Sequence, residues 1–516
     1  MSVRRFGVVV CLMAAAWLLV WCSQRDFARQ GDGWEYLAMT EALARHASPD
    51  VRQSDLTALF SDIDAWQRDG NASARDVHAG ELPHGFVRAG DGRTYGVHFW
   101  MYSLFALPAR LVLGAVGGRQ FNALVVTNAW MFAAALAAVL GAASGGRERR
   151  AALALLLAVT PVAWYVTFTG VEVFSWSLAT ISLVCLERER YAAAACTVSL
   201  AAMQNPPMAL LAVVPVLLSA QRRPWVTTAA TAACASLAML PVVFNWWHFG
   251  QASLIAATLD VGLVSGGRTA SLLFDLNAGL LPYVPVLLGA AAWGGWRLVR
   301  RGDAWAVLIA LAIVGMLLAV QAQINWNTDG RGLRRYLVWM LPPLAWIVVN
   351  AWPGRQRAGI VAAAVASSGA VLIFDRPADF SWLEHRPLAR WVMRVAPELY
   401  NPDFEAFTER SAHGEAPPMW LLEGRRDGWK VALPVAHGRA SGEVTKLLVQ
   451  HDSAAELPRR FRIDSAYLPR LLAFAEASAE PRYVHPPRGA VWAAPGTIDG
   501  VYAPYRPPPS SPPPPE

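Results

Sequence analysis

The sequence predicts an all-α polytopic membrane protein of about 11 transmembrane helices, with a small mixed α/β external C-terminal domain. Three observations predict it. Of 516 residues, 55% are hydrophobic and only 16% are charged, against about 25% charged in soluble chains. The apolar residues gather in long uncharged runs separated by arginine clusters. The charge is also unevenly placed: residues 23–97 hold 8 basic and 12 acidic side chains, residues 376–516 hold 17 of each, and the rest hold 20 and 9. The net charge of +7 invites a nucleic-acid partner. The positive excess, however, lies in the most apolar part of the chain, where no basic face can form, so a membrane explains it and nucleic acid is excluded.

Runs long enough to cross about 30 Å of hydrocarbon lie near 6–22, 98–116, 120–142, 151–168, 171–187, 191–220, 225–247, 277–299, 304–322, 336–352 and 357–375. The first, residues 1–22, follows Arg4 and Arg5 without a small-residue cleavage site and reads as an uncleaved transmembrane helix with a cytoplasmic amino terminus. Residues 23–97 read as an external loop opening on a short amphipathic helix, GDGWEYLAMTEALARHA. Residues 98–375 form the multi-helix membrane domain. In it, Asn205, Pro206 and Pro207 break the 191–220 run into two short helices with a buried apex. The clusters Arg147, Arg149 and Arg150; Arg188 and Arg190; Arg222 and Arg223; Arg297, Arg300 and Arg301; and Arg355 and Arg357 mark cytoplasmic loops. That orientation holds only if 98–116, with Arg110 in its middle, docks at the interface without crossing. Residues 376–506 read as an external domain, with a strand-like WKVALPV and a helix-like YLPRLLAFAEA, and residues 507–516 as a disordered Pro-rich tail. Trp21, Trp225, Trp246, Trp247, Trp296 and Trp352 at run ends suit an interfacial aromatic belt. All five cysteines lie in or beside apolar runs, so no disulfide framework, zinc site or thiol nucleophile is offered.

Acidic residues are nearly absent within the runs, which disfavours a proton- or ion-coupled transporter. The polar candidates share the predicted outer depth: Asp32 and Glu35, His98, Glu172, Asn205, Asp275 with Asn277, and Arg331, Arg334 and Arg335. Moving a sugar from a lipid-linked phosphate calls for a carboxylate to take the acceptor proton and for cationic donors to hold the departing phosphate. Asp32 supplies the first. Arg334 or Arg335 supplies the second, since a guanidinium grips phosphate with two parallel donors.

Five segments carry a resemblance to the GT-C superfamily of integral-membrane glycosyltransferases, which includes protein O-mannosyltransferases and the aminoarabinose transferases of lipid A. GDGWEYLAMTEAL resembles the family's first-loop acidic motif, and Asp32 then matches its catalytic carboxylate. HFWMYSLFALPARL resembles the segment after that loop, with Phe99 and Trp100 where many members have proline. TGVEVFSWSLATISL is similar to a helix start with an acidic residue, here Glu172, and AAMQNPPMALLAVVP to a broken helix that in members often carries Lys or Arg, here Gln204 and Asn205. GLRRYLVWMLPPLAWI is similar to a late helix whose Arg and Tyr face the lipid phosphate, here Arg334, Arg335 and Tyr336. The resemblance spans roughly residues 1–375. It implies an inverting glycosyltransferase in the bacterial cytoplasmic membrane, with a polyprenyl-phosphate-linked sugar donor and a glycan, lipid or protein acceptor at the outer face. Asp32 and Glu172 would be catalytic, and His98, Asn205, Arg334, Arg335 and Tyr336 would bind the lipid phosphate or substrate. No cluster has the spacing of a dedicated metal site, although a divalent metal ion bridging Asp32 and a phosphate is chemically reasonable.

Each residue has a plainer alternative. Asp32 can cap the amphipathic helix, Glu35 can lie on its solvated face, Glu172 can be satisfied by a helix dipole, His98 can anchor at the interface, and Asp275 with Asn277 can be capping residues. The rival functions are a lipid or polysaccharide transporter and a non-catalytic scaffold of envelope assembly.

Overall fold

A computed structural model describes residues 32–66, 85–256, 259–328, 332–375, 382–395, 400, 406, 409–410 and four strand segments between 419 and 484. The first apolar run, Arg331, the helix-like 467–477 stretch and the Pro-rich tail lie outside the described residues.

The helices, in chain order, are α1 (Gly33–His46) and α2 (Gln53–Trp66), then, after a two-stranded antiparallel ribbon of β1 (Phe86–Arg88) and β2 (Thr94–Gly96), α3 (Met101–Ala115), α4 (Ala123–Ala142), α5 (Arg147–Ala158), α6 (Val162–Tyr165), α7 (Glu172–Glu187), α8 (Tyr191–Ala202), α9 (Ala209–Arg222), α10 (Trp225–Ser236), α11 (Leu240–Phe249), α12 (Gly266–Phe274), α13 (Leu280–Tyr283), α14 (Pro285–Arg300), α15 (Ala304–Gln321), α16 (Arg335–Val338), α17 (Leu341–Ala351), α18 (Gly354–Phe374) and α19 (Pro387–Val395). Strands β3 (Met419–Glu423), β4 (Lys430–Pro434), β5 (Leu447–Val449) and β6 (Arg482–Val484) form one antiparallel sheet in that order, and β4 is the strand-like WKVALPV segment.

The chain divides into two compact units. The first takes residues up to 261 together with 283–322 and 335–374, and the second takes 262–282, 323–334 and 375–516. In the first unit, four apolar stretches among the described residues are long enough to cross a membrane: Gln120–Ala142, Trp225–Phe249, Ala304–Gln321 and Gly354–Phe374. Among the described residues, the 151–168, 191–220, 277–299 and 336–352 runs are each split into shorter helices, and the 171–187 run is the single 16-residue helix α7. The 191–220 run, for example, is α8, a short turn at Pro206–Met208, and α9. The count of about 11 is therefore not reached by length and composition alone.

The Trp225–Phe249 stretch argues most directly for lipid. Only 6% of its apolar window is buried, while Trp225, Val243, Trp246 and Trp247 are all exposed. Trp225 and Trp246 are separated by roughly 32 Å of helix, about one hydrocarbon thickness.

Contacts sort the ends of the helices into two groups. At one end, Arg188 donates to Ala142 O, Glu189 pairs with Arg223, Arg222 lies 5.5 Å from the Trp305 ring, and Arg297 lies 4.5 Å from the Trp352 ring. The arginine-bearing loops of the first unit thus meet at a single end. At the other end, Tyr102 donates to Asn128 Oδ1 at 2.9 Å, and Asn128 donates to Phe168 O at 2.7 Å. Tyr102 and Leu113, near opposite ends of α3, both meet the first two turns of α4, through the Leu124 and Asn128 contacts of Tyr102 and a cluster of Leu113 with Ala123 and Val126. The α3 segment therefore lies across the start of α4. Its Arg110 makes a two-pronged pair with Glu41 of α1, at 2.7 and 3.0 Å.

Candidate functional site

At Gly33, the first residue of helix α1, the chain passes close to Thr169. A Cβ on Gly33 would sit 2.3 Å from Thr169 Oγ1, so only glycine allows this approach. That contact brings the start of α1 to the loop before α7.

Asp32 holds the N-cap position of α1 but makes no side-chain capping bond. Its carboxylate is instead held by Arg335, whose guanidinium donates from Nη2 to Asp32 Oδ2 at 3.3 Å. Arg335, the first residue of α16, also has its Nε 3.8 Å from Glu172 Oε1. Glu172 opens α7 and is buried, and its second oxygen has no hydrogen-bond partner among the described residues. One guanidinium thus sits between two carboxylates from distant parts of the chain. The Tyr336 ring lies 5.4 Å from the Arg335 guanidinium.

His98 completes the cluster. Glu35 accepts from the His98 backbone N–H at 3.0 Å and lies 3.1 Å from its Nδ1, while Nε2 is 3.9 Å from Asp32 Oδ2. Burial alone would depress the imidazolium, but the Asp32 and Glu35 carboxylates outweigh it and raise the His98 pKa to about 9. The ring therefore carries a proton at neutral pH. A Cβ on Gly96 would meet Glu35 Oε2 at 2.8 Å, so the ribbon closes directly over this carboxylate.

Glu35 corrects the sequence reading. It is buried against His98, not on a solvated face. The signal was present, because positions three apart share a helix face and Asp32 and Glu35 therefore point the same way. Tyr36, fully buried and packed edge-on to Tyr102 at 5.3 Å and tilted against His98 at 5.7 Å, was not anticipated either.

Asn205, at the apex between α8 and α9, donates to Ser175 Oγ at 2.6 Å, one turn along α7 from Glu172. Arg334 parts from its neighbour. It belongs to the second unit, where its backbone N–H donates to Ala278 O and its buried guanidinium lies 4.0 Å from the Trp326 ring. In that unit Asp275 Oδ1 accepts from the Asn277 and Ala278 N–H groups, the expected capping role, and Tyr400 donates to its other oxygen.

One donor atom each from Asp32, Glu35 and His98 lies within 4.8 Å of the others, so one divalent cation could gather all three. Two carboxylates with one imidazole suit zinc or manganese, and such an ion would take the place of the His98 proton between the same carboxylates. No family model, curated protein or solved structure matches this chain.

Proposed function

We propose that the protein is a membrane glycosyltransferase of GT-C type that moves a sugar from a polyprenyl-phosphate donor to an envelope acceptor at the outer face of the cytoplasmic membrane. The observation that carries this reading is the placement of Asp32. It stands at a helix N-terminus, makes no capping bond, and shares the Arg335 guanidinium with buried Glu172.

In this mechanism a donor phosphate competes with Asp32 for Arg335. A bidentate guanidinium–phosphate pair is the stronger contact, so donor binding releases the Asp32 carboxylate. The freed carboxylate accepts the proton of the incoming hydroxyl as its oxygen bonds to the anomeric carbon. The bond from that carbon to the phosphate oxygen breaks, and the lipid phosphate leaves with the electron pair, stabilised by Arg335. Attack opposite the leaving group inverts the anomeric centre. Glu172 keeps Arg335 in place throughout, and Tyr336 packs beside it. The arginine-rich end faces the cytoplasm under this reading, and α3 docks on α1 without crossing.

The test is Asp32→Asn in membranes supplied with lipid-linked sugar. Glycan transfer should fall by about 10²–10⁴-fold with the protein still folded and inserted. Transfer at the wild-type rate would remove Asp32 from the chemistry. Transport of an intact lipid-linked glycan by both forms would favour the transporter.

A further inference from the structure

A cavity of about 550 Å³ opens at the arginine-bearing end of the first unit, at the opposite end of α7 from Asp32, and is lined by Arg222, Arg301, Asp303, Trp305, Trp346 and Asn350. This volume is in the range of small-molecule sites, about 300–1,000 Å³.

Its walls are shaped by a tight turn on one side and side-chain hydrogen bonds on the other, with Arg222 and Arg301 exposed. Chain reversal between α14 and α15 takes only three residues. Gly302, at φ +72°, lets its N–H bond Val299 O, and the Asp303 N–H bonds Leu298 O, a helix-ending motif that leaves Arg301 on a fixed turn. Asp303 at once caps α15, its Oδ1 accepting from the Trp305 and Ala306 N–H groups. On the opposite wall, Trp346 Nε1 donates to Glu187 at 2.8 Å, and Asn350 Oδ1 accepts from Arg149 at 2.9 Å. The Trp305 and Trp346 rings stack at 12°.

Trp346, Asn350 and one oxygen of Asp303 are thus committed to the fold, while the two guanidiniums are not. Arg222 leans over Trp305 at 5.5 Å, and Arg222 and Arg301 line the cavity without an ion pair to a carboxylate among the described residues. Asp303 is the one acidic side chain lining the cavity, and one of its oxygens is held by the cap. The excess is positive and is presented by planar donors, the geometry that recognises phosphate.

We propose that this cavity binds a phosphoryl group, gripped by Arg222 and Arg301, with the carrier's uncharged portion against the Trp305–Trp346 stack. Basic pockets between helices at the cytoplasmic end of a membrane protein take anionic headgroups, and a soluble phosphate offers the same chemistry. The site lies apart from the Asp32 cluster and does not depend on glycosyl transfer.

The full chain, reconstituted in phosphatidylcholine vesicles with increasing phosphatidylglycerol, is assayed for co-purifying lipid by native mass spectrometry. Inorganic phosphate and pyrophosphate are titrated in parallel against the detergent-solubilised chain by thermal shift. Phosphatidylglycerol should be retained over phosphatidylcholine. The Arg222→Gln/Arg301→Gln double variant should bind about 25-fold more weakly, roughly fivefold per arginine. An Arg222→Lys/Arg301→Lys pair should lose part of this, and Arg355→Gln, outside the cavity, nothing. Stabilisation by inorganic phosphate that vanishes in the double variant would support the phosphate site with a soluble occupant. Equal retention of both lipids and no phosphate shift, or unchanged binding by the double variant while the lysine pair and Arg355→Gln behave as wild type, would overturn the proposal.

Discussion

Helix α7 carries a glutamate with a buried side chain at each end, Glu172 and Glu187, about 22 Å apart along its axis. The two live in opposite circumstances. Glu187 accepts from Ser144 N and Oγ, from both terminal nitrogens of Arg149 and from Trp346 Nε1. Its pair is closed to water, with side chains 9% and 4% exposed. Glu172 has one oxygen 3.8 Å from Arg335 and the other without a hydrogen-bond partner among the described residues. Its surroundings are open, with Asp32 30% and Arg335 19% exposed. A saturated ion pair fastens α5, α7 and α17 to one another. An undersaturated one, beside the partly exposed Asp32, keeps a buried carboxylate oxygen without a hydrogen-bond partner among the described residues. Burial alone does not separate the two roles; completeness of hydrogen bonding does.

The comparison breaks most sharply at Glu187. Glu187→Ala leaves Arg149 buried without its partner, which costs about 3–5 kcal/mol. The expected outcome is a large drop in thermal stability in detergent, with unchanged turnover per folded molecule. If turnover fell and stability held, the structural role assigned to this end would be wrong. Arg335→Gln is the counterpart. It removes the donor shared by Asp32 and Glu172, and transfer should fall about 10²–10³-fold, or roughly 2.7–4 kcal/mol, with a much smaller stability change than Glu187→Ala. The ratio of these two effects in the two assays is the measurement.

Much of this architecture was legible in the sequence. Arginine clusters marked one end of the first unit, and the Asn205–Pro206–Pro207 break foretold the two-helix turn, although at its apex Asn205 is buried and Pro206 exposed. Arg110, too charged for the middle of a crossing helix, was explained by a partner, Glu41 on α1. The carboxylate and arginine of the site were also visible, because charge near apolar runs is rare enough to stand out. What composition could not give is how neighbours divide. Arg334 and Arg335 are adjacent, yet one lies buried beside Trp326 in the second unit and the other reaches Asp32. Successive residues at a helix start point in different directions, and no periodicity says which guanidinium faces which carboxylate. Glu35 was misread because amphipathic patterning assumes that charged positions face water, whereas a buried imidazolium serves as well.

A smaller effect tests how tightly the open end is assembled. Gly33→Ala places a methyl 2.3 Å from Thr169 Oγ1. Displacing α1 from the α7 loop should cost about 1–3 kcal/mol and pull Asp32 away from Arg335. The double variant Gly33→Ala/Thr169→Ala, with room restored, should recover part of both stability and transfer. Failure of that rescue would mean the close approach does not position Asp32.

The last test probes the open end by pH. His98 has its pKa raised from an ordinary 6.5 to about 9 in the folded protein, so its protonated ring stabilises the fold fully below about pH 6.5, and that contribution is lost as the pH rises through about 9. With chelator present, to keep cations from replacing the proton, the wild type should therefore lose stability between pH 6.5 and 9.5, and His98→Gln should show a flatter profile from a lower starting point. A metal-loaded cluster should flatten the wild-type profile as well, because the ion would hold Asp32 and Glu35 without the proton. If His98→Gln kept the wild-type slope in chelator, the proton responsible would lie elsewhere, and His98 would be neutral beside its two carboxylates.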